Sequence, residues 1–516
     1  MQAADSGLYS LVNSSRMDKS PGIDIVWFKR DLRLRDHAPL QAAIEAGRGL
    51  ANRRLLLLYC FEPSVMADPN YDERHWRFVH ESLTDLNKQL ATMAGESIPT
   101  PGTSAFTIRI FHREVVDVLR ALQTQFAIHT IYSHQETGLK ATYDRDKAVT
   151  RFCREQVIAW SEFESNGVRR GLKSSADWQR DWLQTMQAAQ HQPDLTHGKP
   201  AHPPTDWFAA ERGPDLPANW QEANPLFQPG GERNGHRYLT SFLDERIRFY
   251  EDSISKPLES RRGCSRLSPY LAWGCLSARQ VYQQYNYALQ LPAPKAAGQI
   301  RGSALFINRL RLQGYFIELF ERNERIEFVN KNPDFDRIEK QINTDQLMAW
   351  QDGQTGYPLI DACMRCLRQT GYLNFRMRAL VTSFLTHHLF QHWQAGGWYL
   401  ARQFTDFEPG IHYSQLQLQS GILASDRQPV RIYNPVKQSK EHDPEGVFIK
   451  QWIPELAVCP TVYIHEPWTI PSEEQAVIHL RIGIDYPAPI IDIKATGRHA
   501  RIQLYQPRKS NKTKAR

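Results

Sequence analysis

The apolar positions of this chain change rhythm part-way along. Early on they form short continuous runs. IDIVWF (23–28) breaks into the charged run KRDLRLRD, and LLLLYC (55–60) closes on the turn signal FEP. FTIRIF (106–111) and HTIYSH (129–134) repeat the pattern, with helical-period segments such as PLQAAIEAG between the runs. Strands that are apolar throughout and alternate with helices predict a parallel α/β sheet covered on both faces. We place this Rossmann-like domain at 22–155. Residues 156–235 are an inter-domain linker, rich in Pro, Gln, Asn and Gly (HQPDLTHGKPAHPPTD, NPLFQPGGERNG). From 236 to 500 the period is helical, as in HRYLTSFLDERIRFYEDS and YPLIDACMRCLRQTG. The predicted fold class is thus an α/β N-terminal domain plus an all-helical C-terminal domain. Residues 1–21 are polar, lack a signal-peptide core and read as disordered. Residues 501–516 read as a solvated basic tail carrying Arg508, Lys509, Lys512, Lys514 and Arg516.

Composition narrows this picture a little. A net charge of +7 and a pI near 8.9 permit a nucleic-acid partner without requiring one. Seven cysteines, an odd number without framework spacing, point to a reducing compartment. The expected location is cytoplasmic, with organelle or nucleus left open, and the expected state is a monomer. Cys363 and Cys366 form a C-x-x-C inside a helical stretch, but no second pair completes a metal site, so no metal is expected. No apolar run is long enough to cross a membrane as a helix. The G-x-G-x-x-G that would mark a dinucleotide fold is missing after the first strand.

Two places carry candidate chemistry. In Gly263-Cys264-Ser265-Arg266-Leu267-Ser268-Pro269, Ser268 reads as a helix N-cap and Pro269 as the first helical residue. Free N–H groups, two hydroxyls and the Arg266 cation then suit a diphosphate, or simply cap a helix. In the 350–408 block, Arg376 and Arg378 occur with Asp406 and Glu408 in apolar company. Such charges are paired when buried, either as a structural tie or against a cofactor ring.

IDIVWFKRDLRLRDHAPL, CSRLSPYLAWG, AWQDGQTGYPLIDACMR and RIYNPVKQSKEHDPEGVFIKQWIPEL occur in the order in which the photolyase/cryptochrome superfamily carries such motifs, and residues 23–500 resemble that family. The resemblance implies FAD in the helical domain. Tyr250 and Ser265, Arg266, Leu267 and Ser268 would cradle its diphosphate and ribityl chain. Arg378 and Asp406 would sit against the isoalloxazine, with Glu408 in place of a second family Asp. Asn374 would fall close to the adenine and the substrate cavity. An antenna chromophore, folate or deazaflavin, is a further implication, with HQETG (134–138) near its site.

The departures from the family bear on function. Where repairing relatives place a Glu and a Trp against the lesion, this chain has Arg309 and Leu312. The N-N-G-x-W-x-W segment is replaced from His412 onward, so His412 would face flavin N5 and Leu416 takes the place of the Trp nearest the flavin. Of the family's three-Trp chain, only Trp393 matches. With a pKa near neutrality, His412 would act as a proton donor. The resemblance therefore leaves three readings. One is a divergent photolyase acting on pyrimidine dimers, with damaged duplex or single-stranded DNA as partner. Another is a cryptochrome-like photoreceptor with a signalling protein partner. The last is a nucleic-acid-binding protein without FAD.

Overall fold

The computed structural model describes residues 22–95, 105–172, 176–222, 224–290, 297–340, 342–423 and 430–514. The N-terminal segment 1–21, expected to be disordered, lies outside them. The first domain is a five-stranded sheet: β1 Gly22–Phe28, β2 Arg53–Cys60, β3 Ile108–Phe111, β4 Ala127–His134 and β5 Ala159–Phe163. The order is β3-β2-β1-β4-β5, every pairing is parallel, and helices α1 Ala38–Gly47, α2 Glu73–Met93, α3 Val115–Leu122 and α4 Lys140–Glu155 lie between successive strands. Alternate residues of the central strands feed two cores. Ile23, Ile25 and Trp27 face one, while Val26 and Phe28 face the other. The second core is continuous with that of the helical domain, so the sheet is apolar on both faces. This is why its strands show no alternation in sequence.

Two boundaries and the character of the linker differ from the expected ones. β5 carries the sheet past 155, because its only neighbour is β4 and its side chains are mostly half-exposed, which leaves a weak apolar signal. The linker holds its own helix, α5 Trp178–Gln187, which buries Trp178, Trp182 and Met186. The last helix, Ile493–Lys514, runs past the expected end at 501.

The helical domain packs α6 Glu232–Asp244, α7 Ser268–Ala272, α8 Ala278–Gln290, α9 Ala297–Glu321, α10 Pro358–Thr370, α11 Phe375–Ser383, α12 Trp393–Gln403 and α13 Pro409–Gln419 around one core. Helices α10 and α11 are separated by Gly371, which adopts φ 68° beyond the end of α10. Asn374 then caps α11 by accepting a hydrogen bond from the Met377 N–H. No helix among the described residues is long and apolar enough to cross a membrane.

The two domains meet at the charged run that follows β1. Leu32 N–H donates to the Trp273 carbonyl (3.2 Å), and the Arg33 guanidinium donates to that of Gly274 (3.0 Å). The buried Glu232 carboxylate accepts from the N–H groups of Leu34 and Arg35. Gly274 sits at φ 67°, and a Cβ there would lie 2.2 Å from the Arg30 carbonyl oxygen. Gly274→Ala is therefore expected to destabilise the protein by on the order of 1–3 kcal/mol for the backbone conformation alone, with the clash added. A lowered midpoint of urea unfolding checks it, and an unchanged midpoint refutes the close approach. Burial also pushes the imidazoles of His75, His236 and His388 down to about 4, and those of His134 and His387 to about 3. The unfolded chain takes up protons near pH 6.5 while these groups stay neutral in the fold. Stability is thus expected to fall as the pH drops from about 6.5 toward 4, and urea midpoints across that range will show it.

Candidate functional site

A cavity of about 320 Å³ opens in the helical domain, lined by the loop before α7, by α9, by the segment leading into α11 and by the first turns of α13. Tyr250, Ser265, Arg266, Leu267, Ser268, Asn374, Arg378, Asp406, Glu408 and His412 all reach its wall. The sequence spread these residues over more than 150 positions. They converge because α9 and α13 pack together and carry the loops with them.

The loop 264–268 is shaped by side chains behind it. Arg246 donates to the Cys264 and Ser265 carbonyls and holds them back. Arg266 adopts φ 60°, which is rare for a residue with a side chain. Leu267 follows in right-handed geometry (φ −88°, ψ −10°). Such a left–right pair turns successive N–H groups to one side and makes an anion-binding nest. The Arg266 guanidinium is buried, lies 3.6 Å over the Tyr372 ring and donates to Gln228 Oε1 (3.0 Å). Among the described residues no carboxylate pairs with it, and burial lowers its pKa. Ser268 is not the N-cap expected: Leu267 holds that place and Ser268 is already helical. Its hydroxyl instead donates to the Asp406 carboxylate, a charge-assisted bond.

Arg378 donates through Nη2 to both oxygens of Asp406 (3.0 and 2.8 Å) and through Nε to the Leu373 carbonyl (2.8 Å). Its guanidinium lies 4.0 Å over the Phe404 ring. Burial pushes the Asp406 carboxyl up, but Arg378 and the hydrogen bonds outweigh that and hold it below its usual range. Arg376 is not part of this pair. It turns away and donates to the Tyr433 hydroxyl (3.3 Å). Glu408 pairs instead with Arg30 of the α/β domain (2.9 Å), although burial still raises its pKa.

Two expected roles change. The Asn374 amide is used at both ends, its Oδ1 by the Met377 N–H and its Nδ2 by the Ile254 carbonyl (3.0 Å). It reaches the cavity as a helix cap, with its polar atoms engaged elsewhere. His412 does line the cavity, but its Nε2 meets the Gly397 carbonyl (3.0 Å), and burial pushes its pKa down to about 4. The ring is neutral at pH 7, so it does not carry the proton expected of a donor. Trp393 lies behind the wall, donating its indole N–H to Asn330 Oδ1 (2.8 Å). Arg309 and Leu312 both line the cavity, with the Arg309 guanidinium 4.2 Å over Phe375.

Sequence reading missed Gln228, Arg246, Tyr372 and Arg30. Of these only Arg30 carried a signal, its place in a charged run directly after an apolar strand. The spaces around Glu136 in the α/β domain, where an antenna ring was anticipated, are about 30 and 40 Å³. They hold water-sized groups and would need Trp27, Arg145 or their neighbours to move for a folate or deazaflavin to enter. Asp31, His37 and His134 cluster closely enough to suggest metal ligands. His37 Nδ1, however, accepts the Leu40 N–H, so its proton is on Nε2 and points to Asp31. His134 is hydrogen-bonded to the same Asp31 oxygen (2.6 Å), and the trio is a buried polar cluster. Cys363 and Cys366 are both free and buried.

Two family models match the chain in tandem: "DNA photolyase" over residues 24–170 and "FAD binding domain of DNA photolyase" over residues 306–506. Among named relatives, a cryptochrome DASH of Gloeobacter violaceus is 28% identical, covering 91% of this chain and 93% of its own. A deoxyribodipyrimidine photo-lyase of Escherichia coli is also 28% identical, covering 93% and 97%. A Synechocystis cryptochrome structure superposes with a TM-score of 0.77 at 22% identity, over 94% of this chain and 99% of that one. A class III photolyase from Agrobacterium tumefaciens gives 0.76 at 24%, over 95% and 98%. The solved structures show the shared fold. With both domain models in sequence order and relatives matched over nine-tenths of their length, the chain belongs to the photolyase/cryptochrome superfamily, and its helical half is an FAD-binding domain of photolyase type.

Proposed function

We propose that this chain is a blue-light-absorbing FAD protein that repairs pyrimidine dimers in DNA through a rebuilt lesion pocket. The observation that supports it most is the uncompensated charge in the cavity wall. Arg266 is a buried cation without a carboxylate, set in a backbone nest, and a diphosphate answers both features. The apolar wall, with Leu267, Phe404, Phe407 and Leu416 among its residues, suits a flat ring system.

In this reading Tyr250, Ser265, Arg266, Leu267 and Ser268 hold the diphosphate side. Arg378 lies against the ring, fixed by Asp406 and Phe404, so that its positive charge is preorganised where negative charge develops. FAD held there would supply the light-driven one-electron chemistry that dimer opening needs. His412, neutral and held by Gly397, adds no charge of its own to the wall. A dimer reaches the mouth only by leaving the base stack, where a single strand or a damaged duplex yields it most readily. Arg309, held over Phe375, then meets the substrate as a donor in place of the family's Glu.

That same replacement favours a second reading, a cryptochrome-like photoreceptor that keeps FAD and signals to a protein partner. Loss of a stacking ring and of a base-edge contact costs roughly 1–3 kcal/mol each in nucleic-acid sites. Arg378→Ala is expected to strip most FAD from the purified protein while helical circular dichroism is retained, and full flavin occupancy in that variant would remove the ring placement. The function itself is tested by adding photoreduced protein to oligonucleotides carrying cyclobutane dimers or (6-4) photoproducts. Light-dependent repair of one lesion, with none in the dark, is expected. No repair of either by fully reduced protein transfers the conclusion to the photoreceptor.

A further inference from the structure

Two cavities of this molecule share one titratable side chain. A space of about 30 Å³ between the domains is bounded by Arg30 after β1, by residues 135–137 after β4, by Ser165 and Asn166 after β5, and by Glu408. Glu408 also lines the large cavity of the helical domain, and Ala272 is the other residue common to both. Thr137, Ser165 and Asn166 are half-exposed, so the small space lies between the surface and Glu408, which is itself 8% exposed. Glu408 Oε2 pairs with Arg30 at 2.9 Å. Its Oε1 is buried and has no partner in hydrogen-bonding geometry among the described residues, and the same holds for Gln135 Oε1. The charged groups around the space are committed already, Lys29 to Asp146, Glu136 to Arg145 and His134 to Asp31. Two orphan acceptors therefore face a space of one water's size, and a water has two hydrogens to give.

From this arrangement we infer that Glu408 is the proton conduit of the cavity: a water in the seam between the domains hands a proton to its Oε1, and the side chain passes one to the group bound in the helical domain. The inference rests on the FAD reading above and names where reduction draws its proton. An external thiol supplies the electron, and the thiol's own proton goes to bulk water. The seam water gives its proton to Glu408 and regains one from the surface side, while Glu408 gives one to the cavity. Both end as they began, and one proton has crossed from solvent. His412, in the same wall, does not serve, because its ring is neutral at pH 7 and its Nε2 is engaged by the Gly397 carbonyl. Asp406 does not serve either, because Arg378 holds both its oxygens. Burial lifts the Glu408 carboxyl above its ordinary value, Arg30 and the Gly410 N–H pull it part of the way back, and Glu136 adds to the rise. A carboxylate so placed takes up and releases a proton more readily than an exposed one.

The test uses the purified protein with its FAD and dithiothreitol, excited by a blue flash. The flavin absorption reports the arrival of the electron and then of the proton. Glu408→Gln, which keeps the shape and removes the exchangeable proton, is expected to slow proton arrival roughly tenfold or more while electron arrival keeps its rate. Gln135→Leu, which dries the seam from outside the large cavity, is expected to do the same. Glu155→Gln, at the exposed end of α4, is expected to change neither step. A second readout is independent of rate. Light-minus-dark infrared spectra of the wild type are expected to contain a carboxyl C=O band that Glu408→Gln lacks. Proton arrival at the wild-type rate in Glu408→Gln or in Gln135→Leu, or a wild type without that band, overturns the conduit and leaves the FAD reading standing. A protein that purifies without flavin removes both. A flavin that blue light does not reduce removes the light-driven reading alone, and dithionite then delivers the electron for the same comparison. Should Glu408→Gln lose its flavin, the rate in Gln135→Leu decides.

Discussion

The buried charged run after β1 fixes how the two domains face each other. Lys29, Asp31, Arg33, Asp36 and His37 are all nearly inaccessible to solvent. Each would be costly if left unpaired, and breaking one partner from a buried pair typically costs about 3–5 kcal/mol. Their partners are split between the domains. Asp31 is satisfied within the first domain by His37 and His134. Asp36 reaches across to Ser277 and Arg279, and Arg33 reaches to the Gly274 carbonyl. The domains cannot slide without exposing several of these groups together. The interface behaves as one cooperative unit, in contrast to a loose contact between independent bodies.

Arg30 connects that interface to the cavity. It donates to the Ala272 and Phe407 carbonyls, pairs with Glu408 and lies 5.2 Å from the centre of the Trp273 ring. Ala272 ends α7, and Phe407 and Glu408 lead into α13. One side chain of the α/β domain thus sets the distance between the loop at 264–268 and the segment that carries Asp406. The cavity belongs to the helical domain, but its width depends on the other domain. The positive groups around it are sorted by whether they have partners. Arg378 and Arg30 are paired with carboxylates, while Arg266 and Arg309 lean on aromatic faces. The second kind has no carboxylate partner among the described residues, so its charge is the less compensated.

Local reading went wrong wherever two acceptors or donors competed for one group. Ser268 looked like a cap because the cap is its best local use, but the Asp406 carboxylate, nearly 140 positions later, accepts its hydroxyl instead. His412 looked like a proton donor because an exposed histidine titrates near neutrality, and burial against Phe407, Tyr413 and Gly397 removes that. Arg376 and Arg378 are two residues apart on α11, and local pattern alone does not choose between them for Asp406; the family resemblance chooses Arg378, as the structure does. Helical geometry sends them to different sides, one to the cavity and one to Tyr433.

By itself the sequence determined the order of the two domains, the parallel sheet, the helical second half and the family. All of these follow from periodicity and from motifs, which are local and survive without knowledge of contacts. Through the family resemblance it also named a set of residues that reach the cavity wall. Tertiary structure alone decided which of those residues have free polar atoms. Asn374 and Ser268 are spent on the backbone and on Asp406, while Arg266 is held by Gln228 and Tyr372 with its charge uncompensated. It also decided that the fifth strand and the last helix extend past their expected ends. The physical reason is that hydrogen-bond satisfaction and desolvation depend on every group within a few ångströms, and those neighbours come from segments far apart in the chain.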